Sequence, residues 1–395
     1  MILKPALAPR DLILVDDNFF PRYWASVWQC LHGSTLATST CRKKLQVIDS
    51  FCQHTDKSGF NIDDMLTNLD LERICSALEA FFVSLRNVPN PTANLHKRWR
   101  TAFAFVRDTY QRIAVTPSIA ARIQDARERV RQLDNLFEGL RPFSGEHGVG
   151  TRVIPKEVLS ELFDIAEPGS PKNPFKHAAT QWRAYAYLLV LIFAGLRKGE
   201  ALSASVDFCK SRKDELSGTT RWTITVTTND QVGDTRAETP SIKTAASLRT
   251  IPVSDTTGTA LKMYVENYRG KPPHKYFFNS AKSLPLSLEG ATHILHRLTD
   301  ALSQSARQLL KQGTGASTLQ AHSCRHTCAH VRATQWLAKL PEDKSMQNLR
   351  RFFGWSKEST MPLLYCRSAL ENRINDTWSD EFDTRVSWLR SEHAV

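Results

Sequence analysis

The chain has 395 residues, of which 41% are hydrophobic and 23% charged, and its formal net charge is +12 at pH 7. This length is enough for two ordinary domains, and this composition excludes a fibrous or intrinsically disordered protein. The excess of basic residues indicates a polyanionic partner, and DNA, RNA and anionic membranes all remain open at this level.

The sequence argues against a membrane or secreted protein. Its longest apolar run, 184–196, is too short to cross a bilayer and predicts a buried helix. Charged residues such as Arg10, Asp11 and Asp16 lie where a signal peptide would need an apolar core. The eight cysteines form no Cys-x-x-Cys pair, which is typical of reduced thiols. We therefore expect a cytoplasmic protein without a membrane partner.

The first 145 residues have the pattern of a helical domain. Apolar residues recur at helical spacing over 45–51, 71–85 and 99–113. A cluster of Pro and Gly residues between Gly139 and Gly150 predicts a linker. We therefore expect one domain over 1–145 and a second over 146–395.

One segment of the first domain is strongly basic. Between residues 97 and 131, nine Lys and Arg residues stand against three acidic ones, which gives a net charge of +6. A solvated helix face and a face that contacts phosphates explain this charge about equally well. The candidate phosphate contacts are Lys97, Arg98, Arg100 and Arg107.

The second domain is predicted to be mainly helical with a small β-sheet. Trp, Ile and Val alternate with Thr over 222–228 and predict a strand, and 248–253 predicts another. Helices are predicted at 154–159, 182–202, 258–268, 288–304 and 322–337. The fold class is therefore mainly α with a small β-sheet, an α+β domain that follows a helical one.

Two arginine motifs lie far apart in the second domain. Arg197 lies in an Ala-x-x-Arg-x-Gly-Glu pattern that ends at Glu200, and Arg325 follows His322 in a His-x-x-Arg pattern. Guanidinium groups match the oxygens of a phosphate, and a histidine can donate to phosphate and transfer protons near neutral pH. The alternatives are that Arg197 caps the C-terminus of a helix and that His322 and Arg325 are ordinary residues of a helix start.

Two aromatic residues follow these motifs. Trp355 comes directly after Gly354, and Tyr365 lies ten residues further on. A phenol can attack phosphorus, whereas an indole N–H can donate to a phosphate oxygen but cannot shuttle protons. Because no other tyrosine follows Tyr276, Tyr365 has no rival nucleophile downstream of His322. The alternative is a core tyrosine with a satisfied hydroxyl.

These motifs, in this order and spacing, resemble the tyrosine recombinase (phage integrase) family over about residues 150–370. The resemblance implies that Arg197 and Arg325 bind the scissile phosphate and that Tyr365 is the nucleophile. It also implies that His322 donates to the phosphate and transfers protons. Trp355 stands where most members have a histidine. Glu200 is expected to orient a neighbouring cation, and the first domain resembles the family's core-binding region only in kind.

The resemblance further implies a lysine general acid on a turn between the second and third strands. Lys243, just before the strand at 248–253, is the candidate. About fifteen residues separate Lys243 from the preceding strand, which is more than the usual compact hairpin. An exposed turn lysine is the alternative interpretation, with Lys210, Lys213 and Lys262 as rival candidates for the acid.

A histidine and cysteine cluster also raises the question of zinc. Its members are His322, Cys324, His326, Cys328 and His330. On one helix the cysteines fall on a different stripe from the histidines, so the helix cannot easily supply a closed tetrahedral set. We expect no bound metal and two core-facing cysteines.

The function implied by the resemblance is site-specific DNA recombination through a 3′-phosphotyrosine at Tyr365. The implied partners are double-stranded DNA with specific recombination sites, clamped by two domains, and three further copies of the chain in a synaptic tetramer. No cofactor is implied, and the expected place of action is the nucleoid. Two alternatives stay open: a DNA-relaxing enzyme similar to type IB topoisomerases, and a DNA-binding or architectural protein with a dead site.

Overall fold

The structure is a computed structural model, and the chain divides into two compact units, Met1–Gly148 and Val149–Val395. The residues described are 2–3, 12–33, 35–89, 91–92, 94–114, 120–142, 152–213, 215, 219–228, 234, 236, 239–240, 242 and 247–371. Most of the predicted linker between Gly139 and Gly150 lies outside these ranges.

The described part of the first unit is built mainly from helices. They are α1 (Tyr23–His32), α2 (Thr38–Lys57), α3 (Ile62–Thr67), α4 (Leu71–Arg86), α5 (Asn94–Ala114) and α6 (Ala120–Phe137). A short antiparallel pair of strands, β1 (Ile2–Leu3) and β2 (Ile13–Leu14), precedes them. The sequence analysis did not predict this pair, because two residues per strand are too few to show an alternating pattern.

Helix α5 carries much of the core of the first unit. Trp99, Phe103, Val106 and Tyr110 follow one another at helical spacing, and all four side chains are buried. Phe137 of α6 packs against Trp99 with their ring centroids 5.9 Å apart. The apolar stripe of α5 therefore faces the core, which leaves its other faces for polar residues.

The second unit contains a small sheet surrounded by helices. In chain order its elements are α7 (Lys156–Ala166), α8 (Ala178–Ile192), α9 (Lys198–Ser203), β3 (Cys209–Lys213), β4 (Thr220–Val226), β5 (Arg249–Val253), α10 (Asp255–Met263), α11 (Leu288–Asp300), α12 (Gln304–Thr314), α13 (Ala321–Leu337), α14 (Glu342–Phe353) and α15 (361–371). Helix α10 continues into one π-helical turn, Tyr264–Tyr268. The predicted fold class, mainly α with a small β-sheet, is confirmed.

The sheet is antiparallel, with β4 between β3 and β5. Ile224 of β4 lies opposite Cys209 of β3 and Ile251 of β5. Ile224 and Ile251 are completely buried, so this face of the sheet packs on the core. Strands β4 and β5 correspond to the two predicted strands, whereas β3 was not predicted.

The long helix predicted over 182–202 is wrong in extent. Helix α8 ends at Ile192, and α9 begins only at Lys198. Between them Gly195 adopts a φ of 59°, a left-handed conformation that an α-helix cannot contain. The predicted helix at 288–304 also divides, because the Ser303 hydroxyl accepts a hydrogen bond from Ala306 N and starts α12.

Within the described ranges, none of the helices combines the length and the apolar character that crossing a bilayer requires.

Candidate active site

The break between α8 and α9 places Arg197 at the start of a helix. Arg197 is the N-cap residue of α9, and its backbone N–H donates to Glu200 Oε2 at 2.9 Å. Its guanidinium Nη1 donates to Glu200 Oε1 and to Ser247 Oγ, the latter at 3.2 Å. The interpretation of Arg197 as a C-terminal helix cap is therefore wrong, because the left-handed turn at Gly195 ends α8 before it.

Glu200 is the centre of an arginine cluster, which we define as Arg197, Glu200, Arg249 and Arg325. Arg249 donates to both carboxylate oxygens, with Nη2 at 2.9 Å from Oε2 and Nη1 at 3.2 Å from Oε1. Arg325 Nη1 lies 3.7 Å from Oε2. Burial alone would raise the pKa of Glu200, but the hydrogen bonds and charges of Arg249 and the charge of Arg325 outweigh burial and lower it to about 2. Glu200 is therefore ionised, and the cluster keeps an excess of two positive charges.

Arg249 is a site residue to which the sequence analysis gave no role. Its Nε donates to Phe352 O and its Nη1 to Ser247 O, each at 2.7 Å, so its plane is fixed on three sides. The sequence contains a signal for this position. Arg249 lies two residues before buried Ile251 on the same strand, which places a cation on the core side of the sheet.

Arg325 holds three segments together from the first turns of α13. Nη1 donates to Gly195 O at 2.6 Å and Nη2 donates to Phe353 O at 2.5 Å. The guanidinium lies over the rings of Phe353 and Trp355, 5.0 and 5.6 Å from their centroids. Burial and the charge of Arg197 lower the pKa of Arg325 to about 9, so it stays protonated at neutral pH.

Tyr365 reaches this region through an aromatic stack. Gly354 ends α14 with a φ of 58° and turns the chain, so that Trp355 stacks on Phe353 with centroids 4.8 Å apart. Tyr365 of α15 stacks on the other side of Trp355 at 5.7 Å, with an angle of 5° between the ring planes. Pro362 lies in the first turn of α15, where proline is tolerated.

Two histidines of α13 lie beside the tyrosine. The Tyr365 hydroxyl is hydrogen-bonded to His326 Nδ1, and His326 Nε2 is hydrogen-bonded to His322 Nε2 at 2.8 Å. Tyr365 is only 1% exposed, and burial raises the pKa of its phenol. Burial and the nearby His322, Arg152 and Arg325 lower the pKa of His326 to about 4. The sequence analysis gave His326 a role only in the zinc interpretation.

The interpretation of Tyr365 as a core aromatic residue agrees with the structure in one respect, because the ring is buried. Its hydroxyl, however, meets a titratable imidazole rather than a backbone carbonyl.

Lys243, the candidate general acid, lies outside the described residues, so its position is not part of this geometry. Ser247, four residues later, is completely buried and accepts the hydrogen bond from Arg197. Of the rival lysines, Lys210 and Lys213 are exposed on β3. Lys262 lies on α10 with its Nζ 3.8 Å from Glu266.

The two cysteines of α13 pack inside the second unit. Burial raises the pKa of the Cys324 thiol and of the Cys328 thiol to about 12, so both are neutral near pH 7. The Cys328 thiol donates to Phe193 O at 3.7 Å. In the parts of the chain that the structure describes, no group of three or more His, Cys, Asp or Glu side chains is arranged to hold a metal ion.

The basic residues of α5 divide between two faces. Lys97, Arg100 and Arg107 follow at helical spacing on one side, where Lys97 and Arg100 are exposed. Arg107 is half-buried and lies 3.4 Å from Asp108 and 3.7 Å from Asp134. Arg98 points elsewhere, because its Nη2 donates to Ser50 Oγ at 2.9 Å.

No protein-family model and no curated protein sequence matches this chain. Solved structures do match over most of its length, and three of them describe the likeness. XerA recombinase is 14% identical and matches over 90% of this chain and 98% of its own, with a TM-score of 0.36. The Tn1549 transposon integrase in complex with circular intermediate DNA is 15% identical over 83% of this chain and 99% of its own, with a TM-score of 0.41.

The third structure is the XerH site-specific recombinase bound to its difH substrate in a pre-cleavage complex. It is 13% identical over 83% of this chain and 75% of its own, with a TM-score of 0.48. All three are tyrosine recombinases, the family that the sequence motifs resemble. The functional argument itself rests on the residues that the second unit brings together.

Proposed function

We propose that this chain is a site-specific DNA recombinase that cuts and rejoins DNA through a 3′-phosphotyrosine intermediate. One observation carries the proposal: Arg197, Arg325 and Tyr365, which are far apart in the sequence, meet in one site with an ionised glutamate and two histidines.

The arginine cluster suits a phosphodiester. Its excess of positive charge is buried or half-buried, where the attraction for an anion is stronger than in water. Its guanidinium groups are held by Glu200 and by backbone carbonyls before any ligand arrives. Donors preorganised in this way stabilise the charge that develops on the non-bridging oxygens during transfer, because little reorganisation is needed.

Tyr365 supplies the nucleophile in this proposal. Its oxygen attacks the phosphorus, the P–O5′ bond breaks, and the 5′ oxygen leaves with a proton from the proposed acid Lys243. The 5′ hydroxyl of a partner strand then attacks the phosphotyrosine and restores the backbone without ATP, because the covalent link keeps the bond energy. Trp355 holds the phenol ring by stacking and lies next to Arg325.

The same proposal includes the wider arrangement implied by the motifs. A helical DNA-binding domain over 1–145 and a catalytic domain over 146–395 act on double-stranded DNA with specific sites. Four copies act together on synapsed DNA, at the nucleoid and without a cofactor.

Substitution of the nucleophile tests the proposal. We expect Tyr365→Phe to abolish the covalent protein–DNA adduct and to leave DNA binding nearly intact, because binding comes from many phosphate contacts. The assay uses nicked suicide substrates made from the DNA that flanks the gene, followed by denaturing gels. Tyr268→Phe is a matched control, since Tyr268 stacks on Trp182 and has no part in the cluster.

An adduct in Tyr365→Phe would overturn the assignment of the nucleophile. If wild-type protein bound DNA but formed no adduct, the dead-site alternative would replace the proposal. If it relaxed a supercoiled plasmid without exchanging strands between two sites, the topoisomerase alternative would replace it.

The role of Lys243 has its own test. Lys243→Ala should slow cleavage of ordinary DNA about a hundredfold or more, the usual scale for a positioned general acid. A 5′-bridging phosphorothioate leaves as a thiolate and hardly needs a proton, so the variant and wild type should cleave that substrate at nearly equal rates. A defect of equal size on both substrates would move the search for the acid to Lys210, Lys213 and Lys262, which are substituted in parallel.

A further inference from the structure

The hydroxyl of Tyr365 is the first member of a hydrogen-bonded series that continues through two imidazoles. His326 contacts the phenol through Nδ1 and His322 through Nε2. His326 is 6% exposed, whereas His322 is exposed at the start of α13. Two hydrogen bonds therefore connect the buried hydroxyl oxygen of Tyr365 to the surface of the second unit.

We propose that His326 accepts the proton of Tyr365 during cleavage and passes it to His322, so that the two histidines form a proton relay for the nucleophile. The inference rests on the proposed role of Tyr365 as nucleophile. It assigns a catalytic role to His326, whose Nδ1 touches the reacting oxygen.

The two hydrogen bonds accommodate the protonation pattern that the relay needs. If Tyr365 donates to His326 Nδ1, then the single proton of a neutral His326 is on Nε2 and is donated to His322 Nε2. A neutral His322 then carries its own proton on Nδ1. This pattern leaves an acceptor at each receiving atom, so a proton can move from the phenol along both hydrogen bonds.

The proton balance is complete without any further group. The Tyr365 O–H bond breaks as the O–P bond forms, and the proton goes to His326 Nδ1 while the Nε2 proton of His326 moves to His322. His326 ends neutral as the other tautomer, and His322 ends as an imidazolium with protons on both nitrogens. The positive charge therefore arrives on His322, the residue proposed to donate to the phosphate, while negative charge develops on the phosphate. Religation reverses each transfer.

The surroundings explain why the proton does not stay on His326. Tyr365 and His322 face its two ring nitrogens, and the cations Arg325 and Arg152 are also close. Burial and this positive surrounding disfavour an imidazolium at His326, which is why its pKa falls to about 4. An exposed His322 keeps its hydration when it becomes charged, so it is the better final acceptor.

The alternative is that His326 only orients the phenol and takes no part in proton transfer. His326→Asn separates the two roles, because an asparagine amide oxygen can replace Nδ1 as a hydrogen-bond acceptor but does not take up a proton. We expect single-turnover cleavage by His326→Asn to fall about a hundredfold or more, the usual scale for a general base. His326→Gln is the second variant, and melting temperature and DNA binding show that each variant folds.

His330→Gln is the matched control. His330 lies one turn further along the same helix and is part-buried, and burial also lowers its pKa, but it is outside the site. Its substitution should leave the cleavage rate unchanged.

A change in the acidity of the nucleophile gives the decisive readout. Fluorine substituents lower the pKa of a phenol, so Tyr365→3,5-difluorotyrosine needs a base much less at pH 8. The loss caused by His326→Asn should then shrink to less than about tenfold in this background. If His326 only orients the phenol, His326→Asn should lower the cleavage rate equally with tyrosine and with difluorotyrosine, and this result would overturn the relay. Cleavage by His326→Asn at the wild-type rate would also overturn it.

These outcomes differ from a failure of the proposed function. If Tyr365→Phe still forms an adduct, the nucleophile is wrong and the relay falls with it. If wild type forms the adduct through Tyr365 and the loss at His326 is the same in both backgrounds, only the relay is wrong.

Discussion

At the scale of single residues, the site depends on one carboxylate that is shared by three arginines. Glu200 is almost completely buried, and a buried carboxylate is tolerated only when it is paired and hydrogen-bonded. It fixes Arg249 through two hydrogen bonds and Arg197 through both its side chain and its backbone. The expectation that Glu200 orients a neighbouring cation agrees with these contacts, although its role in catalysis stays a prediction.

The geometry of Arg197 leads to a prediction about lysine. Arg197→Lys keeps the charge but loses the planar fork that can bind Glu200, Ser247 and a phosphate oxygen at once. We expect it to cleave about a hundredfold or more slowly than wild type, nearly as slowly as Arg197→Ala, by analogy with the loss of one oxyanion donor. Single-turnover cleavage measures this, with Arg307→Lys on exposed α12 as the control. Near-wild-type cleavage by Arg197→Lys would show that only charge matters there.

At the scale of elements, the break between α8 and α9 determines where the first arginine lies. A continuous helix would carry Arg197 along the axis of α8, whereas the turn at Gly195 redirects the chain and offers Gly195 O to Arg325. The position has no room for a side chain. A Cβ there would lie 2.4 Å from Phe353 Cε1 and 3.1 Å from Cys328 Sγ.

Gly195→Ala should therefore destabilise the second unit and slow cleavage. The left-handed backbone alone costs an alanine about 1–2 kcal/mol, and the contact with Phe353 adds to this. Gly315→Ala is a matched control, because Gly315 has a φ of 71° but no atom within 4 Å of its Cβ position. Thermal denaturation should show a clearly larger loss for Gly195→Ala. Equal losses would mean that the Phe353 ring moves aside and that the close contact has no structural role.

The elements also show why parts of the structure could be predicted and others could not. Strand β4 was predicted because Trp222, Ile224 and Val226 alternate with threonines in the sequence, and these three residues are the buried ones in the structure. Strand β3 was not, because four of its five residues are exposed and only backbone pairing to β4 makes it a strand. The break at Gly195 was missed because apolar residues surround it, and their burial looks the same in one helix or two.

In the candidate site, too, local sequence patterns could be recognised, whereas contacts between distant segments could not. Motifs identified Arg197 and Arg325. The strand pattern indicates only that Arg249 faces the core, and its pairing with Glu200 becomes visible only through a contact between distant segments, as does the pairing of His326 with Tyr365.

At the scale of the whole molecule, the net charge of +12 has to be assigned to surfaces before it indicates a partner. In the second unit, part of the positive charge lies in the arginine cluster, where Glu200 compensates some of it. In the first unit, α5 exposes Lys97 and Arg100 on one side, without an acidic partner within ion-pair distance among the described residues. Arg107, on the same side, is partly compensated by Asp108 and Asp134.

This distribution predicts which basic residues contribute to DNA affinity. Each phosphate contact contributes about 0.9 to the slope of log affinity against log salt concentration, because binding releases counterions from the duplex. The double variant Lys97→Ala and Arg100→Ala should therefore lower the magnitude of this slope by nearly two, and it should weaken binding to specific and random duplexes alike. Fluorescence anisotropy titrations at several salt concentrations measure both effects. Arg73→Ala is the control, because exposed Arg73 is paired with Asp70 at 3.4 Å. If the double variant kept the wild-type slope, this side of α5 would be a solvated face, and the contacts that hold DNA would lie elsewhere on the protein.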